Sequence, residues 1–313
     1  MGGVGRARLP SPPATRILSA PRRLLVRAAL LLFAAAELSV PYPKTALISD
    51  LHGNWPALQV AVQDARQRGV ERFVCLGDVV GYGARPRECL ELVMGLIDPT
   101  SPEGAGLQPG RCLMGNHEFA LLNSAEDFNP NARAAIEWTR GALGKDVDAA
   151  RVDEYWEFLA RLSPLEVEHG ALYAHGSPRD PVREYMLPRD SRDPVKMKAV
   201  FARMRAFDAQ GAYACFVGHS HVPAIFYEDG RFYRPKDTEG PYALAATAEN
   251  RALVNVGSVG QPRDGDPRLS YAIYDGANIT FVRLAYDVAQ AQADIRAVAD
   301  LPAYLAERLE KGQ

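Results

Sequence analysis

The sequence predicts an α/β fold, parallel in its first half and antiparallel toward its end, and three observations predict it. Short apolar runs alternate with stretches of helical periodicity from Thr45 onward. Five of those runs end in a motif rich in Asp, Asn or His, the placement expected beyond the carboxyl ends of parallel strands. From Ala224 onward the runs alternate in polarity, as antiparallel strands do.

The elements follow in order. Thr45 to Ser49, bounded by Pro43 and Asp50, reads as a buried strand that delivers Asp50 and His52 at its exit. The next helix is capped by Asn54, tolerates Pro56 in its first turn, gathers Leu58, Ala61, Val62 and Ala65 on one face, and closes at Gly69. Phe73 to Leu76 is a strand delivering Asp78, and Cys89 falls in a helix-like stretch. Arg111 to Met114 ends in Gly115-Asn116-His117-Glu118, after which Asn131 to Leu143 and Val152 to Leu162 read as helices. Ala171 to Ala174 delivers His175; just before it, Glu168-His169-Gly170 reads as a turn between two apolar runs, with a solvated histidine. Tyr213 to Val217 delivers His219 and His221, and Ala252 to Val254 leads into the loop Asn255 to Arg263. Strands are expected at Ala224 to Glu228, Leu269 to Asp275 and Ile279 to Leu284, and Arg234 to Arg251 reads as a surface excursion. A helix over Val288 to Val298 and an amphipathic turn or two from Leu301 to Leu309 complete the chain.

With 313 residues, 47% of them hydrophobic, the chain can bury a sizeable core without a staple. A formal net charge of −2 gives no overall field that favours nucleic acid. Cys75, Cys112 and Cys215 lie in apolar strand-like runs where they act as small hydrophobes, and no Cys-x-x-Cys occurs, so a reducing, cytoplasmic compartment is expected. Residues 1–40 differ from the rest: no acidic residue precedes Glu37, and Ala28 to Ala36 is wholly apolar. That run is shorter than the ~20 residues a membrane span needs. It reads as a disordered leader or a start-site artefact, or alternatively as an export signal, since Arg22-Arg23 loosely matches a twin-arginine motif. Residues 41–313 are expected to form a single domain.

The chemistry lies in five motifs: Asp50-Leu51-His52-Gly53-Asn54, Gly77-Asp78, Gly115-Asn116-His117-Glu118, His175-Gly176-Ser177 and Gly218-His219-Ser220-His221. Of six histidines, five lie in these motifs and only His169 does not, which makes a scattered origin a poor explanation. Carboxylates, imidazoles and an amide oxygen, with no cysteine among them, suit borderline divalent ions and hydrolysis rather than a structural zinc. The ordinary reading of Asp-x-His is a turn carboxylate and a surface imidazole, and of Gly-Asp a turn alone. His219-x-His221 is more specific, because a satisfied core histidine rarely has such a partner. Together the motifs hold enough ligands for two ions, and a pair about 3.5–4 Å apart is a standard device for displacement at phosphorus.

In content and order these motifs resemble those of the calcineurin-like metallophosphoesterases, from about Lys44 to the C-terminus. The resemblance implies a four-layer αββα sandwich of two mixed β-sheets flanked by helices. It assigns Asp50, His52 and His221 to one metal, Asn116, His175 and His219 to the other, and Asp78 to both. Two divalent ions, most simply Mn²⁺ with Fe, Zn, Co or Ni also suited, would then carry four positive charges against Asp50, Asp78 and a bridging hydroxide, leaving the site attractive to phosphate. The implied reaction is in-line attack by that hydroxide. His117 would be the general acid, and Glu118 the acid that orients it, although a first-turn helix acid is the simpler reading of Glu118.

The stretch after Asp78 separates subfamilies. Val79-Val80-Gly81-Tyr82-Gly83 lacks the Asp-Arg-Gly of the protein phosphatases and dinucleoside-tetraphosphate hydrolases, while Gly257 to Arg263 matches the loop of the small bacterial and archaeal phosphodiesterase branch. A phosphodiesterase is therefore expected, with phosphoprotein or phosphomonoester hydrolysis and a non-enzymatic scaffold of the same fold as rivals. Asn54, Tyr82 and Arg263 are candidate substrate contacts, with local packing the competing reading. The expected partner is a small-molecule or nucleotide phosphoester, with no stable nucleic-acid complex and no membrane span; nothing in the sequence signals an oligomer.

Overall fold

β1 (Thr45–Ile48) is buried throughout and shows the alternation that organises the molecule: Leu47 points into one apolar cluster, Ala46 and Ile48 into another. β2 (Arg72–Cys75) repeats it, with Val74 on one side and Phe73 and Cys75 on the other. Strands with two apolar faces must be covered on both, and that requirement sets the layers. The computed structural model describes residues 1–2 and 42–313. The arginine-rich leader with Ala28 to Ala36 lies outside the described residues.

In the first sheet β1 and β2 are parallel, and β2 continues in parallel to β3 (Arg111–Cys112). Three antiparallel strands extend the other edge of β1: β11 (Leu269–Tyr274), β12 (Asn278–Leu284) and β9 (Glu239–Ala243). The second sheet has β5 (Ala171–Ala174), β6 (Ala214–Val217) and β10 (Ala252–Asn255) parallel at its centre. Antiparallel β4 (Leu165–Glu168) closes one edge, and β7 (Ala224–Tyr227) and β8 (Phe232–Tyr233) close the other.

Between the sheets, Leu47, Val74, Leu113, Tyr173, Phe216, Val254 and Phe281 share one core. Behind the first sheet pack α1 (Trp55–Gln67), α2 (Pro86–Ile97), α3 (Asn116–Leu122), α4 (Pro130–Gly144) and α5 (Ala149–Arg161). Behind the second, Val200, Phe201 and Met204 of α6 (Pro194–Met204) meet Leu172, Cys215 and Phe226. α7 (Val288–Arg296) and the short α8 (Tyr304–Glu307) return to the first sheet's helical layer through Ile295 and Leu305. The result is the four-layer αββα sandwich. Each fully buried Leu or Phe contributes on the order of 2 kcal/mol, so three packed interfaces secure the order of layers.

Most element boundaries match expectation within a residue or two. The surface excursion over Arg234 to Arg251 is a correction, because it contains β9, which pairs with β12. Gly240 and Pro241 masked it; proline is tolerated there because β9 is an edge strand. α6 was not foreseen, although Asp193 caps it by accepting from Val195 and Lys196 amides. All four cysteines are buried and unpaired. His169 sits in the turn between β4 and β5, partly exposed, 3.8 Å from Glu168. No helix among the described residues is long and apolar enough to cross a membrane.

Candidate metal centre

The motif residues leave the carboxyl ends of β1, β2, β5 and β6, with Asn116 opening α3 just beyond β3. Backbone bonds lace these exits together: Asp50 N–H donates to Gly77 O (3.0 Å), His52 N–H to Asp78 O (2.9 Å) and Gly218 N–H to His175 O (3.0 Å). Two glycines permit the close approach. A Cβ on Gly115 would meet Asp78 Oδ1 at 2.1 Å, and one on Gly218 would meet Asp50 Oδ2 at 2.5 Å. Asp50, His52, Asp78, His219 and His221 all have left-handed backbone, with φ from 49° to 61°. Non-glycine residues avoid that region unless surrounding structure imposes it, and such strain concentrates at functional sites.

All seven sequence-assigned ligands come together. His52 Nε2 and His221 Nε2 are 3.2 Å apart, and His221 Nε2 is 3.0 Å from Asp50 Oδ1. His175 Nε2 lies 3.1 Å from His219 Nδ1, 3.0 Å from Asn116 Oδ1 and 3.3 Å from Asp78 Oδ2. Asp78 Oδ2 is also 3.7 Å from His52 Nε2, so this carboxylate faces both groups.

The second nitrogen of each ring decides what the cluster can hold. His52 Nδ1 faces Val80 O, His175 Nδ1 faces Leu76 O, His221 Nδ1 faces Gln261 O, and His219 Nε2 faces Arg183 O. Carbonyl oxygens only accept, so those nitrogens carry the protons and the inward nitrogens of the neutral rings carry lone pairs. Two lone pairs at 3.2 Å repel unless a cation stands between them, and buried Asp50 Oδ1 has no hydrogen-bond partner. The donors fall into three overlapping groups that could hold a metal ion: Asp50, His52 and His221; His52, Asp78 and His117; and Asp78, His175 and His219.

Burial, reinforced by neighbouring cationic groups, lowers the pKa of His52 and His221, and takes His219 to about 3. Burial would also lower His175, but Asp78 and Asp50 outweigh it and lift the pKa to about 9. In the metal-free site a proton therefore occupies His175. Burial would raise both aspartates, yet the surrounding imidazoles hold them below the usual carboxylate range.

Glu118 is the first-turn acid of α3, one of its two expected readings, and caps that helix at Gly115. Its carboxylate accepts from the amides of Asp78 (2.8 Å), Val80 (3.2 Å) and Gly115 (2.9 Å), so it clamps the β2 and β3 exits instead of orienting the His117 ring. His117 donates its backbone N–H to Asp78 Oδ1 at 2.9 Å, and its Nε2 is 4.0 Å from Asp78 Oδ2. Its Nδ1 is buried without a partner, and burial takes the imidazole to about 4.

Asn54 is withdrawn from the candidate substrate contacts. Its oxygen caps α1 by accepting from Ala57, its nitrogen donates to Gly260 O (2.8 Å) and Tyr286 Oη (3.1 Å), so both amide hydrogens are used, and it does not line the cavity above the centre. Tyr82 and Arg263 do line the cavity above the centre, a space of about 290 Å³ shared with Asp78, Asn116, His117, His219 and His221. No motif pointed to Phe119, Phe128, Arg183 and Tyr185, which line it along with Ser124, Asp127 and Asn129. Tyr185 stacks on His219 with ring centroids 3.8 Å apart, and Arg183 lies over Phe119.

A family profile described as calcineurin-like phosphoesterase matches residues 43–223. An uncharacterised protein of Methanocaldococcus jannaschii is 34% identical over 280 residues, covering 86% of this chain and 98% of that one. A crystal structure of a metallophosphoesterase from Sphaerobacter thermophilus is 35% identical, covering 87% of this chain and 99% of that one, with a TM-score of 0.68.

Proposed function

This chain belongs to the calcineurin-like phosphoesterases, metal-dependent hydrolases of phosphoric esters, and from that premise we propose that it is a phosphodiesterase working with two divalent ions. The observation that supports the two-ion reading is the paired convergence of ring nitrogens, His52 toward His221 and His175 toward His219, with Asp78 facing both. Ions held there would supply Lewis acidity toward the phosphoryl oxygens and acidify the attacking water. Manganese is the first choice, and iron, zinc, cobalt or nickel suit the same donors.

The chain's own residues do the rest. Arg263 reaches the cavity while Gln261 Oε1 fixes its guanidinium (2.8 and 3.2 Å), which suits it to orient a phosphate oxygen. His117 lines the same cavity without being needed as a ligand, and we assign it proton transfer to the leaving oxygen. An incoming phosphate anion raises its pKa from about 4, favouring the protonated form when substrate is bound. Phe119, Phe128 and Tyr185 offer apolar wall for the organic substituent of a phosphoester. We take residues 41–313 as one catalytic domain. Four buried, unpaired thiols support a reducing, cytoplasmic setting.

The test compares bis-p-nitrophenyl phosphate with p-nitrophenyl phosphate on Mn²⁺-loaded protein. The diester is expected to be cleaved faster, with EDTA abolishing activity and Mn²⁺ restoring it. Faster monoester cleavage would overturn the diester preference, and full activity after exhaustive chelation would overturn the metal requirement.

A further inference from the structure

Beyond the metal centre, and resting on the phosphoesterase reading of it, lies a pair of arginines set against one tyrosine. Tyr82 packs edge-on against two motif histidines, its ring centroid 4.6 Å from His52 and 4.5 Å from His117. The guanidinium carbons of Arg263 and Arg308 lie against the same ring, 5.9 and 5.8 Å from its centroid. Arg308 comes from the last turn of the chain, more than 250 residues from His52 in sequence. Its place beside the centre could not be read from any motif.

Other deeply placed arginines here are neutralised. Arg72 pairs with Glu168, Arg251 with Asp208 and Glu228, and Arg283 with Asp264. Arg263 and Arg308 form no ion pair with a carboxylate side chain among the described residues. Arg263 uses Nε and Nη2 on Gln261, and Arg308 uses Nε on a main-chain oxygen of Gln313, the last residue of the sequence. Half-buried Arg308 has its pKa lowered, first by burial and then by the Arg263 charge. The Tyr82 hydroxyl, at the cavity wall, likewise makes no hydrogen bond to a described residue. Both arginines are half-buried and face the same ring, and an anion reaching both would gain charge-assisted hydrogen bonds from each.

We propose that Arg263 and Arg308, set against Tyr82 beside the metal centre, form an anion subsite for a second phosphoryl group, so that the substrate is a phosphoester bearing at least one further phosphate. The phosphorus under attack sits at the metal ligands, and the second phosphate extends past Tyr82 to the arginines. Phe119, Phe128 and Tyr185 are left to face the organic part. A diester without a second anion fills the reaction centre and leaves this pair without a substrate contact.

Two probes separate the subsite from the reaction. Inorganic pyrophosphate, titrated calorimetrically into EDTA-treated protein, is expected to bind the parent chain and to lose about tenfold or more in affinity in Arg308→Gln and in Arg263→Gln, with Arg308→Lys retaining most of it. Thermal melting identifies any variant that has lost its fold, and the other then carries the comparison. With Mn²⁺ restored, bis-p-nitrophenyl phosphate is compared with P¹,P²-bis(p-nitrophenyl) pyrophosphate, which differs by one phosphoryl group. The parent chain is expected to favour the pyrophosphate in kcat/KM, and Arg308→Gln to shrink that ratio about tenfold. Pyrophosphate affinity and selectivity both indifferent to the two substitutions would overturn the subsite. If the parent chain cleaved neither ester, the phosphoesterase reading would fail, and pyrophosphate affinity alone would decide the subsite.

Discussion

His52 and His221 are held nitrogen to nitrogen by carbonyl groups behind them, and His175 and His219 repeat the device. Removing one member leaves the other's lone pair without purpose, so Asp78→Ala or His221→Ala is expected to lower bound metal as measured by elemental analysis. His117→Ala is expected to keep its metal and lose about 10²–10⁴-fold in turnover; a matching fall in metal content would make His117 a ligand instead. The His175 proton gives a further handle. Its pKa near 9 lies above the ordinary 6.5, so in metal-free protein that proton stabilises the fold fully below about pH 6.5 and ceases to as pH rises through 9. A cation must displace the same proton. Apparent metal affinity should therefore rise by about tenfold per pH unit up to 9 from this group alone, with proton release visible by calorimetry in buffers of different ionisation enthalpy. Titration without proton release would remove His175 from the ligand set.

The strand exits make the site because each turns sharply within a few residues of a β-strand's end. Glu118 secures two of these turns through three backbone amides, so Glu118→Ala should cost on the order of 3 kcal/mol in chemical denaturation, whereas Glu118→Gln, which still offers an acceptor, should cost much less. Equal losses in both would point to charge rather than hydrogen bonding. The seven candidate ligands were legible in the sequence because histidine is scarce in this chain and each follows an apolar run that reads as a strand. Glu118 was legible as a first-turn acid, but its bonds to Asp78 and Val80, about 40 residues upstream, were not, because backbone amides leave no trace in a pattern of side chains. Asn54 was half legible: its cap on α1 follows from Pro56 and the helical period, but its bonds to Gly260 and Tyr286 arise only where distant segments meet. β9 and α6 were lost for local reasons, Gly240-Pro241 in the first and a proline-rich approach to Pro194 in the second.

At the scale of the molecule, the centre draws its ligands from both sheets: Asp50, His52, Asp78 and Asn116 from the exits of the first, His175, His219 and His221 from those of the second. Cations there join the two halves of the sandwich, and any ligand that binds only the folded state stabilises it. At a hundred times its dissociation constant one ion adds about 2.7 kcal/mol, so Mn²⁺ should raise Tm by roughly 5–10 °C over EDTA-treated protein. No change in Tm would mean that the sheets do not share an ion. The most direct measurement is anomalous diffraction from Mn²⁺-soaked crystals. We predict two peaks, one bounded by Asp50, His52 and His221 and one by Asn116, His175 and His219, with Asp78 touching both. A single peak, or two peaks that leave Asp78 without a metal contact, would contradict the two-ion centre.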